Sequence, residues 1–287
     1  VPEESMRKFE EADIPVAGRD SELIDKVDVV IDATPAKVGL KNKNRYDKAG
    51  VKQIFQGGEP ASICEVSFNA LTNYDAAVGK KCVRVVSCNT TGLARVIYAL
   101  RKLGTLRKVR GVIVRRGADL KEVKKGPIEG LLLKPTSPPS HHAEDVKTVV
   151  GDLDIITYAV VAPTTLAHMH VINAVLDRAG RREDVLEALK STTRIMLVRG
   201  ELLSSTAELR EYAKESIRPG GDIYENVVWE DSVWVEGNEV MLAYAVHQEA
   251  IVVPENIDAV RALTGLADRD KSINLTNTTL GIGGAPD

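Results

Sequence analysis

Short apolar strands alternate with helices through the first part of this chain, and that alternation restricts its fold more than any other feature. The segment SELIDKVDVVIDATP reads as a short helix, with Ser21 as a candidate N-cap, followed by a buried strand from Val27 to Ala33. AKVGLKNKNRYDKAG predicts a helix closed by Gly50, since glycine accepts the left-handed backbone that ends many helices. VKQIFQGGE is a strand ending in Gly57-Gly58, and Val83 to Val86 form the next strand. Such a pattern builds parallel βαβ units. The loops after VVIDATP and QIFQGG then lie at the carboxyl ends of their strands, where open α/β sheets bind ligands.

The middle of the chain follows another rule. VRGVIVRRGADL and LDIITYAVVAP read as strands, and Asn226 to Val246 as two strands around a Gly237-Asn238 turn. Helices fall between them at REDVLEALKST and at STAELREYAKES, the latter with a capping box from Ser205 to Glu208. This mixture predicts an α+β unit with a largely antiparallel sheet. PENIDAVRALTGLA gives a late helix with Pro254 in its first turn and Ile257, Val260 and Leu263 on one face. The closing GIGGAPD reads as a frayed tail.

Composition narrows the function classes. A chain of 287 residues makes one large or two ordinary domains, and 44% hydrophobic with 28% charged residues is a globular balance. A net charge of −3 offers no field for nucleic acid or an acidic membrane. No apolar run approaches the roughly 18 residues of a membrane helix, and the charged opening VPEESMRKFEE is not a signal peptide. Cys64, Cys82 and Cys88 have no metal-like spacing, which argues against a zinc site and a disulfide framework and for a reducing, cytoplasmic setting.

Cys88 stands where a strand gives way to a helix. Leu93, Val96, Ile97, Leu100 and Leu103 recur at helical spacing, with Gly104 at the end, so the helix begins near Cys88 and Ser87 or Asn89 can cap it. The first turn of a helix carries unpaired N–H groups and partial positive charge. A thiol there shifts toward the nucleophilic thiolate, and the same N–H groups can stabilise an oxyanion. The alternative is a buried structural thiol, a reading that suits Cys64 and Cys82.

A nucleophilic cysteine usually works with a base. TTLAHMH puts His168 and His170 on one face of a strand, and PSHHAEDV puts His141 and His142 just after Pro138-Pro139. No carboxylate stands at ligand spacing to either pair, so no metal is expected. Arg115, Arg116, Lys121, Lys124 and Lys125 cluster in VRRGADLKEVKKG, either as a solvated basic loop or as a phosphate site.

Taken in order, DATP, IFQGGE, VVSCNTTGL, VRRGAD, KKGPI, PSHHAEDV, PTTLAHMH, NVVWEDS, AVHQEAIVVPENIDA and TNTTLGI resemble the archaeal type of glyceraldehyde-3-phosphate dehydrogenase over nearly the whole chain. The resemblance implies a Rossmann-like, parallel-sheet NAD(P)-binding domain from residues 1–87 and 250–287, and an α+β catalytic domain from 88–249. It implies phosphorylating oxidation of glyceraldehyde 3-phosphate in glycolysis or gluconeogenesis, with NADP or NAD as cofactor and a homotetramer as the assembly. By analogy Cys88 attacks the aldehyde, His168 takes the hydroxyl proton, and inorganic phosphate releases the acyl group from a thioester. Ser87, Asn89, His141 and His142 would contact substrate, and Gly58, Arg116 and Gln248 would contact the cofactor.

The family opens with a strand, a glycine-rich turn and a helix, and no GxGxxG occurs in this sequence. That departure leads to an expectation of an NAD(P)-binding domain incomplete at its N-terminus, with an exposed strand edge, lowered stability and weak cofactor binding. Two other readings stand beside the first: a related semialdehyde or acyl-phosphate dehydrogenase, and a non-catalytic remnant that associates with full-length subunits.

Overall fold

The computed structural model describes residues 1–56, 58–117, 129–218 and 220–283. Gly57, Lys121, Lys124, Lys125 and the last four residues of the tail lie outside that range. The chain enters through α1 (Met6–Glu11) and α2 (Asp20–Ile24), then β1 (Val29–Asp32), α3 (Val38–Ala49) and β2 (Lys52–Gln56). Next come β3 (Val66–Phe68), α4 (Ala70–Asn73), β4 (Cys82–Val85) and α5 (Cys88–Leu100). β1 to β4 form one parallel sheet in the order β1-β2-β4-β3. Gly50 closes α3 in the left-handed conformation, φ 70°, as its position predicts. Ser21 lies inside α2 rather than at its cap. Among the described residues β1 is an edge of this sheet, and Ile31 on it is 46% exposed.

The second sheet uses β5 (Leu106–Arg116), β6 (Leu132–Leu133), β7 (Asp154–Ala162), β8 (Ala167–Leu176), β9 (Ile195–Val198), β10 (Asn226–Trp229), β11 (Trp234–Glu236) and β12 (Glu239–His247). Its order is β6-β7-β5-β8-β12-β10-β9, with β11 paired to β12. β5–β7 and β9–β10 run parallel and the other pairs antiparallel, so the largely antiparallel reading holds. The Gly237-Asn238 turn joins β11 to β12, and the segment read as two strands contains three. Helices α6 (His141–Val150), α7 (Arg182–Lys190), α8 (Thr206–Tyr212), α9 (Val253–Thr264) and α10 (Arg269–Leu280) complete the chain. α8 carries the Ser205–Glu208 capping box.

The main core lies between this sheet and α5, α6 and α7, with Leu93, Val96, Ile97, Ile113, Val146 and Leu189 at its centre. A second core joins the parallel sheet to α9 and α10 through Ile54, Phe68, Val83, Ala259, Leu263 and Ile273. Each such Val, Leu, Ile or Phe side chain, fully buried, contributes about 1.5–3 kcal/mol. α5 is buried almost all round. A Cβ at Gly92 would come within 2.7 Å of Val246, so this glycine lets β12 cross tightly over the first turns of α5.

Two further sequence expectations about the fold need correction. Cys64 and Cys82 form a disulfide, with Cα atoms 4.9 Å apart. Parallel pairing of Val66 with Val83 brings the two together, a proximity that their spacing in sequence does not reveal. The buried stripe of α9 is also not the purely apolar one: Ile257 and Val260 are half-buried, while Glu255 and Asp258 are fully buried. Both carboxylates are matched. Glu255 accepts from Arg95 of α5 at 2.8 Å and from Arg194 at 3.1 Å. Asp258 pairs with Arg194 and accepts from Ser272 and Thr276 of α10 at 2.7 Å. This neutral cluster ties α5, α9, α10 and the approach to β9 together.

Candidate active site

α5 begins at Cys88 because Ser87 takes an extended backbone, φ −63° and ψ 164°, and its hydroxyl accepts from the Thr90 N–H. Of the two caps that the sequence allows, Ser87 is the one used. Cys88 therefore projects from the first turn of a helix that is anchored in the core along its length. His168 and His170 stand on one face of β8, both buried, as the alternation predicts.

Geometry separates the two histidines. His168 Nε2 lies 3.5 Å from Cys88 Sγ, and His168 Nδ1 accepts from the backbone N–H of Arg116 at 3.1 Å. Arg116 is the last residue of β5, beyond the final β5–β8 ladder pair at Val114 and Met169, so its amide can turn to the imidazole. His170 bonds Asn89 Oδ1 at 2.8 Å and the hydroxyl of Tyr244 at 2.9 Å. Tyr244 is its direct cross-strand partner on β12. His168 faces the thiol, and His170 holds Asn89 by a hydrogen bond.

A cleft of 1330 Å³ opens over this group between the two sheets. It is lined by Ser87, Cys88, Asn89, His168, His141, His142, Gly58, Arg116 and Gln248, which brings every site residue named from sequence into one cavity. His141 and His142 start α6, with ring centres 3.9 Å apart. His142 is buried with no hydrogen-bond partner on either ring nitrogen. At the other wall a Cβ on Gly58 would sit 3.0 Å from the Ala36 side chain, a tight contact that glycine avoids beside the cleft.

Burial governs the ionisation of the site. It pushes the Cys88 thiol up to about 11, against the pull of the Asn89 amide and of Arg115 and Arg116. The thiolate shift expected at the helix start is therefore overturned: desolvation outweighs the helix terminus. His168 is held well below the ordinary histidine value, first by burial and then by His170, Arg115, Arg116 and His247. Burial takes His170 down to about 3 and also holds His142 well below its usual value. The resting site is a neutral thiol beside neutral imidazoles, with the Arg115 and Arg116 cations at the same cleft.

Sequence reading missed the support of this site. Arg84 of β4 bonds Asp145 of α6 at 2.6 Å, and Asp145 accepts from Thr90 of α5 at 2.6 Å. Thr90 in turn meets the Ser87 hydroxyl at 2.9 Å. One carboxylate thus links the cap of the cysteine helix, the His141-His142 helix and the parallel sheet. The available signal was an arginine inside an otherwise apolar buried strand, where a charge demands a partner.

Comparison with known proteins agrees with this arrangement. Residues 87–232 match the family model described as glyceraldehyde 3-phosphate dehydrogenase, C-terminal domain. The glyceraldehyde-3-phosphate dehydrogenase of Metallosphaera sedula is 56% identical over 284 residues, which cover 99% of this chain and 84% of that protein. Proteins of the same name from Hyperthermus butylicus and Saccharolobus islandicus are 54% and 53% identical, over 98% of this chain and 83% of their own lengths. The chain belongs to the glyceraldehyde-3-phosphate dehydrogenase family. The family match begins at Ser87, the cap that sets Cys88 at its helix terminus. A parallel sheet beside a mixed, mainly antiparallel one accords with the NAD-binding and catalytic halves of glyceraldehyde-3-phosphate dehydrogenases.

Proposed function

We propose that this protein is a phosphorylating glyceraldehyde-3-phosphate dehydrogenase of the archaeal type, acting in the cytoplasm, in glycolysis or gluconeogenesis, with NADP or NAD. The observation that carries the reading is the pairing of Cys88 Sγ with His168 Nε2 at 3.5 Å, inside a cleft that also holds two arginines. Cys88 is the nucleophile: its sulfur bonds to the aldehyde carbon to give a hemithioacetal. Asn89, held by His170, and Ser87 orient the substrate, and His141 and His142 contact it or the attacking phosphate. Inorganic phosphate then displaces the sulfur from the thioester and leaves as the acyl phosphate.

The cleft suits a nicotinamide cofactor on two counts: the close glycine passage at Gly58 and the buried, unpaired oxygens of Glu59 and Asn256 along the same wall. Gly58, Arg116 and Gln248 would hold it. When bound, the cofactor accepts the hydride that the hemithioacetal carbon gives up.

Residues 1–87 and 250–287 make the cofactor domain in this reading, and 88–249 the catalytic domain. The assembly is a homotetramer, a proposal supported by Val112, Tyr158 and Met241, which are each about 40% exposed on one face of the mixed sheet. The test is the rate of NADPH or NADH formation from glyceraldehyde 3-phosphate with and without inorganic phosphate. Phosphate-dependent turnover is the expected result. Turnover indifferent to phosphate, or found only with an amino-acid semialdehyde, would end this reading.

A further inference from the structure

One carboxylate fixes which group donates in the hydrogen bonds at the head of α5. Asp145 of α6 is bonded through Oδ1 to the buried guanidinium of Arg84 at 2.6 Å, and as the carboxylate of that ion pair it can only accept. Its Oδ2 takes the hydroxyl proton of Thr90 at 2.6 Å. Thr90 has no second hydroxyl proton, so in the 2.9 Å bond between Thr90 Oγ1 and Ser87 Oγ the donor is Ser87. Ser87 Oγ also accepts from the Thr90 N–H as the cap of α5. Its proton is thus engaged, and a lone pair is what it offers to the cleft that it lines beside Cys88.

From this order of donors we infer that Asp145 is a positioning residue: acting through Thr90, it makes Ser87 an acceptor, and the site thereby selects a substrate with a hydroxyl on the carbon next to the aldehyde. The inference rests on the dehydrogenase reading above for the aldehyde and its phosphate. The direction of the relay rests on Arg84, Asp145 and Thr90 alone.

The opposite polarity carries a cost inside the protein. For Ser87 to donate into the cleft, Thr90 must turn its own proton toward Ser87. Asp145 Oδ2 and Thr90 Oγ1 would then meet at 2.6 Å as two acceptors, and a part-buried carboxylate oxygen would lose its donor.

The consequence for recognition is chemical. A carbonyl oxygen or a fully ionised phosphate brings only lone pairs to Ser87, and lone pairs facing each other without a proton repel. A hydroxyl brings the missing proton. On glyceraldehyde 3-phosphate the neutral donor is the 2-hydroxyl, on the carbon bonded to the one that Cys88 attacks. Ser87 adjoins Cys88 in the chain and lines the same cleft, so it is the residue placed to read that group.

Ligand binding without cofactor separates this role from a merely supporting one. The probes are D-glycerate 3-phosphate, with a hydroxyl at the second carbon, and hydroxypyruvate phosphate, with a carbonyl there. Each is titrated for its protection of Cys88 against iodoacetamide in the wild type, Asp145→Asn, Thr90→Val and Thr90→Ser. In the wild type the hydroxyl ligand should bind at least about tenfold more tightly than the carbonyl ligand. In Asp145→Asn, Arg84 keeps the amide oxygen and the amide nitrogen faces Thr90. The relay then reverses, Ser87 donates, and the two ligands should bind within about twofold of each other. Thr90→Val releases the Ser87 proton and should level the two ligands as well, whereas Thr90→Ser retains the hydroxyl and should keep the wild-type ratio. A carboxylate that only braces α5 against α6 would weaken both ligands alike when altered. An unchanged ratio in Asp145→Asn and Thr90→Val therefore overturns the proposal, as does equal binding of the two ligands, or no protection by the hydroxyl ligand, in the wild type. A wild-type protein that shows the expected ratio but does not oxidise glyceraldehyde 3-phosphate overturns the dehydrogenase reading instead.

Discussion

Two regions along α5 withdraw polar groups from water, the half-buried Cys88 less deeply than Arg95, and treat charge in opposite ways. At the first turn, Cys88, His168 and His170 are all pushed toward their neutral forms by burial. Two turns further on, Arg95 and its partners Arg194, Glu255 and Asp258 are fully buried, yet they meet as two cations and two anions with direct hydrogen bonds. The difference is partnership. An ion loses its hydration when buried and recovers it only from an opposite charge or well-placed donors. The deep cluster pairs its charges within the protein, with Arg95 Nε alone left without a hydrogen-bond partner among the four side chains. At the first turn Arg115 and Arg116 pull the thiol toward its charged form, and desolvation outweighs them.

The largest test of this comparison breaks the complete cluster. Arg194→Met removes the cation bonded to Asp258 and one of two partners of Glu255, leaving buried negative charge with Arg261 at 3.6 Å from Asp258 and Arg95 on Glu255. The expected loss is about 3–5 kcal/mol in urea unfolding, and a loss below about 1 kcal/mol would mean that the cluster is not the junction described. Acid gives a smaller effect over any one pH unit. His170 has a folded value of about 3 against 6.5, so its contribution is complete above pH 6.5 and is lost as pH falls toward 3. Stability should drop by about 1.4 kcal/mol per pH unit from this group alone across that window, and His170→Gln should flatten the slope. The smallest effect is kinetic. With Cys64 and Cys82 joined, Cys88 is the free thiol, and its alkylation by iodoacetamide should speed up about tenfold per pH unit below about 11. A plateau near pH 7 would place the resting site as a thiolate.

The same contrast explains what could be read in advance. The parallel βαβ units, the capping box at Ser205 and the start of α5 were legible because they depend on local periodicity and local hydrogen bonding. The nine candidate site residues named from their motifs line one cleft. What escaped depends on tertiary pairing. Ile257 and Val260 look like a core face until Glu255 and Asp258 find two arginines from elsewhere in the chain. Cys64 and Cys82 look unrelated until β3 lies beside β4. Helix position alone suggests an activated thiol, and only the depth of the site reverses that. Asp145, the link between α5, α6 and β4, has no sequence signature beyond the buried Arg84 that needs it.

The central claim is that Cys88 carries the substrate as an acyl group. The direct measurement mixes the protein with NADP or NAD and glyceraldehyde 3-phosphate in the absence of inorganic phosphate, then follows reduced cofactor and the mass of the Cys88 peptide. The account expects a burst of reduced cofactor, stoichiometric with a phosphoglyceryl adduct on Cys88, that disappears when phosphate is added. An adduct on another residue, or reduced cofactor formed with no adduct, would contradict it.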